Sequence, residues 1–289
     1  MKLSILRSLT ALRTRFAPSP TGRLHLGHAA SAFAVWDAAA AANGEVLLRI
    51  EDIDQTRCRP AYDTEILEDL TWLRLGWSGP VRRQSAHFDE YSTVLNALRA
   101  RGLVYRCFLT RREIAARLPA GADPDEGGLV SHPLSAADET GRLAHNAAFA
   151  WRLSLDAARQ ALGARFDALH YLEDTPAGER PAPAHPGRFG DVVLARKDTP
   201  TSYHLACCHD DALQGITHII RGEDLREVTA IHVLLQALMG WPSPVYRFHP
   251  LILGPDGKKL SKRFGSKTLR DYRDEGMTPD DIRAMTRAA

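Results

Sequence analysis

Between the stop signal Asn43-Gly44 and the acidic turn Glu51-Asp52-Ile53-Asp54 lies VLLRI (Val46 to Ile50), a nearly continuous apolar run of strand length. A strand that is apolar on both faces must be covered on both faces, as happens in a parallel sheet flanked by helices. The neighbouring segments supply such helices. Upstream, HAASAFAVWDAAAAA from His28 reads as an Ala-rich helix that stops near Asn43-Gly44. Downstream, residues 61–75 place Ile66, Leu67, Leu70 and Leu73 at helical spacing, and Gly76 ends the run. An extended entry at 14–18 comes first, and Pro18 and Pro20 keep it from turning helical. Strand, helix, strand, helix predicts a doubly wound α/β domain with a parallel sheet.

The pattern breaks in the middle and then resumes. Residues 91–101 read as a helix and VYRCFL as a short strand, but 117–147 are rich in Ala, Gly, Pro and Asp with little periodicity. AFAWRLSL (148–155) is strand-like, and Trp151 reads as core; residues 174–187 again collect Pro and Gly. DVVLAR (191–196), THIIRG (217–222) and YRFHPLIL (246–253) read as further strands, with EVTAIHVLLQALMG as an amphipathic helix between the last two. The expected organisation is an N-terminal extension (1–13), the first half of an α/β domain (14–104), an inserted loop-rich α+β subdomain (105–190), the second half (191–267) and a short helical segment (268–289).

Composition narrows the class. With 44% hydrophobic and 25% charged residues, the 289-residue chain fits a globular protein and not a disordered, collagenous or coiled-coil one. Lys plus Arg is 37 against 35 acids, a formal charge of +2, so nucleic acid is not held by overall charge; a local basic stripe is still compatible. No apolar run approaches the roughly 20 residues of a membrane helix. Residues 1–13 lack the unbroken apolar core of a secretory signal, and their weak amphipathic pattern gives way at once to the folded one. Cys58, Cys107, Cys207 and Cys208 form no C-x-x-C pair, and the adjacent two do not easily bridge, so four reduced thiols are expected, as in a cytoplasmic protein.

Two segments carry chemistry. In PSPTGRLHLGHAASA (18–32), His25 and His28 share a face of the first helical turn, and Gly27 removes a side chain where a flat ligand can approach. The helix start adds unpaired N–H groups and a positive dipole, so the two imidazoles are placed to donate to a phosphate. Alone, H-x-G-H also fits two surface histidines at a helix cap. In KKLSKR, Lys258, Lys259, Lys262 and Arg263 follow a strand and a Gly-Pro-Asp-Gly turn, and Lys267 lies just beyond. Such a loop can neutralise charge that builds on a triphosphate, although alone it also fits a solvated basic loop.

Together the two segments resemble the signature pair of class I aminoacyl-tRNA synthetases. RFAPSPTGRLHLGHA, LLRIEDIDQTR, YHLA, IIRGEDL and HPLILGPDGKKLSKR are similar to the glutamyl subgroup, and chance coincidence of five ordered motifs is negligible. The resemblance implies a Rossmann-like catalytic domain that activates L-glutamate with ATP, with Mg²⁺ arriving on the ATP, held chiefly by phosphates and water. It places His25, Gly27, His28, Lys259, Ser261 and Lys262 at the ATP, with His25, His28 and Lys262 as the catalytic set. It places Arg15, Phe16, Ala17, Pro18 and Ser19 together with Glu51, Tyr203 and Arg221 at the glutamate. The charges suit that substrate: Arg15 and Arg221 can pair with carboxylates, Glu51 can accept from the ammonium and Tyr203 can donate its hydroxyl. Glu51 could instead cap the following helix.

The sequence also departs from the subgroup. A zinc-bearing branch has C-x-C near the first inserted strand and a later Tyr and Cys. Here only Cys107 is kept, Leu109 replaces the second cysteine, and DEGGLVSHP offers only His132. Such sites need about four ligands, so neither zinc nor any other protein-held metal is expected, and the insertion must be held by packing. After Lys267 only residues 268–289 remain, enough for one or two helices and too few for an anticodon-binding domain. The short form resembles the branch that activates glutamate without tRNA and transfers it onto queuosine, the wobble nucleoside in the anticodon stem-loop of tRNA(Asp). The other readings are a truncated synthetase that charges the 3′ end of tRNA(Glu) and a non-catalytic tRNA-binding paralogue. A monomer with no membrane contact is expected.

Overall fold

The structure is a computed structural model that describes residues 11–118, 128–196, 199–253 and 267–288. The first half runs β1 (Arg13–Phe16), α1 (Leu26–Ala41), β2 (Glu45–Ile50), α2 (Pro60–Trp72), β3 (Arg82–Arg83) and α3 (Phe88–Ala100). There follow β4 (Val104–Cys107), α4 (Arg111–Ala115), α5 (Ala136–Ala144), β5 (Ala150–Leu153), α6 (Leu155–Leu162), β6 (His170–Thr175) and β7 (Gly178–Pro183). The chain ends with β8 (Val193–Arg196), α7 (Tyr203–Leu213), β9 (His218–Gly222), α8 (Thr229–Met239), β10 (Val245–His249), α9 (Leu269–Asp274) and α10 (Pro279–Ala288).

Two small sheets lie edge to edge. One is the parallel sheet β1-β2-β3, with Arg15 opposite Leu47 and Ile50 opposite Arg83. The other has the order β7-β6-β10-β9, in which β10 is parallel to both neighbours and places Phe248 opposite Arg221. They meet where the Thr217 N–H donates to the Arg13 carbonyl at 2.9 Å. Val46, Leu48 and Ile50 of β2 are buried, and so is Arg49 between them. The continuous apolar run therefore does sit covered on both faces. Ala29 and Ala32 are fully buried in the same core as β1 and β2, where small side chains let α1 approach closely. α10 covers the other side of α1, with Ile282 buried and Arg283 paired to Asp37 at 2.8 Å while lying over the Phe33 ring. No helix among the described residues is long and apolar enough to cross a membrane.

The stretch 105–190 does not behave as one piece. β4, β5 and β8 form a separate antiparallel sheet, so DVVLAR joins the insertion side and not the parallel sheet. The hairpin β6–β7 does the opposite: Leu172 pairs with Val245, which extends the parallel sheet. HYLEDT gives no apolar run to announce this. Its inward face carries Tyr171 and the buried Glu173, whose charge is matched by Arg226 at 2.5 Å and Arg180 at 3.3 Å.

Side-chain packing holds the antiparallel sheet together. Phe108, Phe149 and Trp151 form a column with ring centroids 5.6 and 5.7 Å apart. Arg106 lies over both Phe149 and Trp151, Arg99 covers Trp151 at 4.5 Å, and Arg106 also pairs with Glu139. Trp151 is thus a half-buried edge of the core under two guanidiniums, not a fully enclosed residue. Buried Asp191 pins the insertion from beneath, accepting from the Tyr105 hydroxyl at 2.8 Å and from the Ser131 and Leu155 N–H groups at 2.9 Å. Cys107 is a buried thiol on β4, and among the described residues no converging group of three metal-ligating side chains includes it.

Candidate active site

The segments just past β1, β2, β9 and β10 converge on one cavity of about 400 Å³. Ligands of open parallel sheets bind at the carboxyl ends of the strands, where successive loops part. The N-terminus of α1 forms a further wall, and Tyr203 at the start of α7 closes the floor. All eight positions expected to hold glutamate line this cavity: Arg15, Phe16, Ala17, Pro18, Ser19, Glu51, Tyr203 and Arg221. So do His25, Gly27 and His28 of the expected ATP set. Lys259, Ser261 and Lys262 lie outside the described residues. The described residues that flank them reach the same place: Ile252 is on the cavity wall, and Thr268 bridges to His25.

The two histidines cap α1 reciprocally. His25 is the N-cap, and its Nδ1 accepts from the Gly27 N–H at 3.1 Å; Nδ1 of His28 accepts from the His25 N–H at 3.1 Å. An imidazole nitrogen that accepts a backbone N–H carries no proton, so each ring is neutral with its proton on Nε2. The rings sit 3.8 Å apart. The cap thus orients two N–H donors on a helix start that already favours anions. Gly27 leaves space for the His25 ring: a Cβ there would stand 3.0 Å from its Cε1 and press the imidazole aside by a few tenths of an ångström.

The opposite wall is a buried charge network. Nε of Arg15 donates to Oδ1 of Asp211 at 2.9 Å, and Nη1 of Arg49 donates to the same oxygen at 2.8 Å. Nη2 of Arg49 then donates to Oε1 of Glu51 at 3.1 Å. One carboxylate on α7 therefore fixes both the cation and, through Arg49, the anion of the pocket. Burial opposes the Asp211 charge, but Arg15 and Arg49 outweigh it and hold the carboxyl down at about 2. Burial likewise opposes the charge on both arginines, and Asp211 raises them above the ordinary guanidinium value. Glu51 goes the other way: burial pushes its carboxyl up against the pull of Arg49 and Arg15. Glu51 does not cap the following helix: the N-cap of α2 is Arg59, and no side chain caps it. Burial in this network also pushes the Cys207 thiol up to about 12, which makes it an inert donor to Asp211 at 3.5 Å.

Arg221 is held from three sides. Its Nη2 donates to Oγ1 of Thr229 at 2.6 Å, its Nη1 donates to Nδ1 of His232 at 3.3 Å, and its guanidinium lies 5.2 Å from the Tyr246 ring centroid. Burial first, and then Arg221, push His232 well below the ordinary imidazole value. A neutral His232 that accepts at Nδ1 carries its proton on Nε2, which faces Nδ1 of His204 at 3.3 Å. At Gly222, next in the chain, a Cβ would lie 2.5 Å from Oδ1 of Asp224 and 2.8 Å from Cδ2 of Leu251, so those side chains would have to move to admit one.

Sequence reading missed Arg49, Asp211, Thr229 and His232. Arg49 was signalled as the one charge in a buried strand, and His232 as a lone imidazole in an apolar helix. Asp211 had only its spacing of four from Cys207 on one helical face.

The geometry agrees with what the chain is similar to. Residues 11–288 match the family model of the catalytic domain of class I tRNA synthetases (E and Q). The chain is 46% identical to a glutamyl-Q tRNA(Asp) synthetase of Rhodobacter capsulatus, over 94% of this chain and 98% of that protein. It is 37% identical to a protein of the same name from Nocardia farcinica, over 94% of this chain and 82% of that one. Among solved structures, a glutamate tRNA ligase from Elizabethkingia meningosepticum, in complex with its amino acid, superposes with a TM-score of 0.73 at 28% identity. That match covers 96% of this chain, which spans 60% of the ligase's length. A parallel sheet, a histidine-capped helix start and a buried two-cation pocket, on a chain matched almost end to end, place this protein in the class I tRNA synthetase family for glutamate and glutamine.

Proposed function

We propose that this chain activates L-glutamate with ATP in the absence of tRNA and then transfers the glutamyl group onto queuosine at the wobble position of tRNA(Asp). The observation that carries the first half is the joining of Arg15, Arg221 and Glu51 with His25 and His28 in one cavity. Glutamate brings two carboxylates and one ammonium, and this wall offers two guanidiniums and one carboxylate. In this reading Glu51 accepts from the ammonium, which lowers the carboxyl that burial had raised. One substrate carboxylate rests on an arginine. The other, the α-carboxylate, is directed at the α-phosphorus of an ATP whose phosphates lie on the Nε2–H groups of His25 and His28 and on the start of α1. A carboxylate oxygen is already a nucleophile, so no protein base is required. The new P–O bond forms as pyrophosphate leaves, and the product is the mixed anhydride glutamyl-adenylate. Positioning and charge neutralisation supply the catalysis. Mg²⁺ enters in this reading on the phosphates of ATP, held chiefly by them and by water.

Lys262 takes the role of neutralising charge on the departing pyrophosphate, by its place in KLSKR. Lys262→Ala is then expected to lower glutamate-dependent pyrophosphate exchange by about 10³-fold, with ATP affinity within about tenfold of wild type. Exchange at the wild-type rate would remove Lys262 from this role.

The second half is supported by the match of 46% along 98% of a glutamyl-Q tRNA(Asp) synthetase. The competing reading, esterification of the 3′-terminal ribose of tRNA(Glu), is favoured by the fold shared with a glutamate tRNA ligase. Incubation with ATP, radiolabelled glutamate and each tRNA, followed by nuclease digestion and mass spectrometry, separates the two. Label is expected on the wobble nucleoside of queuosine-containing tRNA(Asp). Label on the 3′-adenosine of tRNA(Glu) alone would overturn the proposal.

A further inference from the structure

Arg15 and Arg221 both line the amino-acid cavity and both are buried, but they differ in what stands behind them. Arg15 rests on the Asp211 carboxylate at 2.9 Å, so its charge is matched before any substrate arrives. Among the described residues no carboxylate pairs with Arg221. Its partners are the Thr229 hydroxyl at 2.6 Å and the His232 imidazole at 3.3 Å, and its Nε is buried with no partner. Both partners are fixed as neutral acceptors. Oγ1 of Thr229 donates its proton to the Leu225 carbonyl at 3.2 Å, which leaves its lone pairs for Arg221. A guanidinium only donates, so Nδ1 of His232 accepts and holds no proton. The proton of that ring, on Nε2, then faces Nδ1 of His204 at 3.3 Å. His232 is 1% exposed and is not among the residues that line the cavity. Its ring lies 5.5 Å from that of Tyr203, so it stands behind two parts of the cavity wall, Arg221 and Tyr203.

We propose that His232 is a positioning residue that sets the preference for glutamate over glutamine: it fixes Arg221 without cancelling its charge, and so leaves that charge to the side-chain carboxylate of the substrate. The assignment rests on the proposed function for the identity of the amino acid, and on geometry for the role of His232. A buried cation without a counter-charge is costly, and an arriving carboxylate removes that cost. A carboxylate in place of the imidazole would hold the guanidinium equally well, but it would cancel the charge, as Asp211 does for Arg15. The two carboxylates of glutamate differ in the reaction. The α-carboxylate gives up its charge as it enters the adenylate, while the side-chain carboxylate stays charged throughout. An unmatched cation at the reacting carboxylate would stabilise the ground state and oppose the attack, so it belongs at the carboxylate that does not react. Glutamine brings a neutral carboxamide to the same place. Its oxygen supplies no charge, and its NH₂ group is a donor facing a guanidinium that is itself all donors, so Arg221 stays without its counter-charge.

Three variants of the full chain test this by pyrophosphate exchange at rising glutamate, repeated with glutamine as competitor, so that each gives a KM for glutamate and a Ki for glutamine. His232→Asn carries its amide oxygen near the place of Nδ1 and keeps a neutral acceptor; both constants are expected within about threefold of wild type. His232→Leu removes the acceptor. The KM for glutamate is expected to rise by about 10- to 100-fold, with kcat and the KM for ATP within about twofold. His232→Asp supplies a charged acceptor that neutralises Arg221, and the KM for glutamate should rise by about 10-fold or more. In the Leu and Asp variants the Ki for glutamine is expected within about threefold of wild type, so the preference for glutamate falls. A role in packing alone would move kcat, the KM for ATP and both amino acids together. Equal losses for glutamate and glutamine, or equal losses in the Asn and Asp variants, would overturn the assignment. Thermal melting checks each fold; if His232→Leu melts early, Asn against Asp, alike in size and unlike in charge, decides the matter. A wild-type enzyme with no glutamate-dependent exchange would overturn the proposed function, and this assignment with it. Wild-type exchange with an unchanged preference in the variants would overturn the role of His232 alone.

Discussion

Arg15→Ala is expected to lower glutamate-dependent pyrophosphate exchange by about two to four orders of magnitude, most of it in the KM for glutamate. Arg15 lines the cavity, and its Nε is bound to Asp211, so the guanidinium is oriented before any substrate arrives. Removing it leaves a substrate carboxylate without a partner in a buried site. Breaking a buried ion pair from one side costs about 3–5 kcal/mol. At about 1.4 kcal/mol per factor of ten, that range spans about two to four powers of ten in rate. Folding should survive, because Asp211 keeps Arg49 at 2.8 Å. Initial rates at rising glutamate concentration, with ATP saturating, check the prediction. An unchanged KM for glutamate would place the substrate elsewhere.

Asp211→Ala should act on both stability and binding. Asp211 is the shared partner of Arg15 and Arg49, and without it Arg15 loses its buried carboxylate while Arg49 is left with Glu51 at 3.1 Å and Asp210 at 3.9 Å. The cost is again about 3–5 kcal/mol. At roughly 2–4 °C per kcal/mol for a chain of this size, the melting temperature should fall by about 10 °C. Glutamate binding should weaken as well, since Arg49 also positions Glu51. Asp211→Asn keeps the shape and removes the charge, so it isolates the electrostatic share. That share has a defined pH window. The folded-state value of about 2 lies below the ordinary 3.8, so the Asp211 carboxylate stabilises the fold fully above 3.8. The contribution is lost as the pH falls toward 2, where folded and unfolded forms both take up the proton. Melting curves of wild type and Asp211→Asn should therefore differ at neutral pH and converge in acid. A gap that stayed constant down to pH 2 would assign the loss to packing.

Much of the site could be read in the sequence because each motif is short. HLGH sits on one helical turn, RFAPS ends one strand and IIRGEDL ends another, so local spacing alone gives each group its place on an element. The residues that were missed act across long separations. Arg15 and Asp211 are 196 positions apart, and Arg49 and Asp211 are 162 apart. No periodicity links residues at such distances. Arg49 was visible as an anomaly, a charge in the middle of VLLRI, but the buried acid that neutralises it could not be inferred from the strand.

The same contrast runs through the fold. By itself the sequence determined a parallel strand covered on both faces, an Ala-rich helix that begins on two histidines, and the motifs whose charged residues gather at one cavity. These follow from hydrophobic period, capping and residue type, which act within a few residues. Tertiary structure alone decided that the β6–β7 hairpin extends the parallel sheet while β8 leaves it, that one aspartate holds both Arg15 and Arg49, and that a second cavity opens behind Glu51. Those outcomes depend on which surfaces meet when distant segments pack. A buried ion finds its partner from whatever the packing brings within about 3 Å, and the order of residues along the chain does not encode that distance.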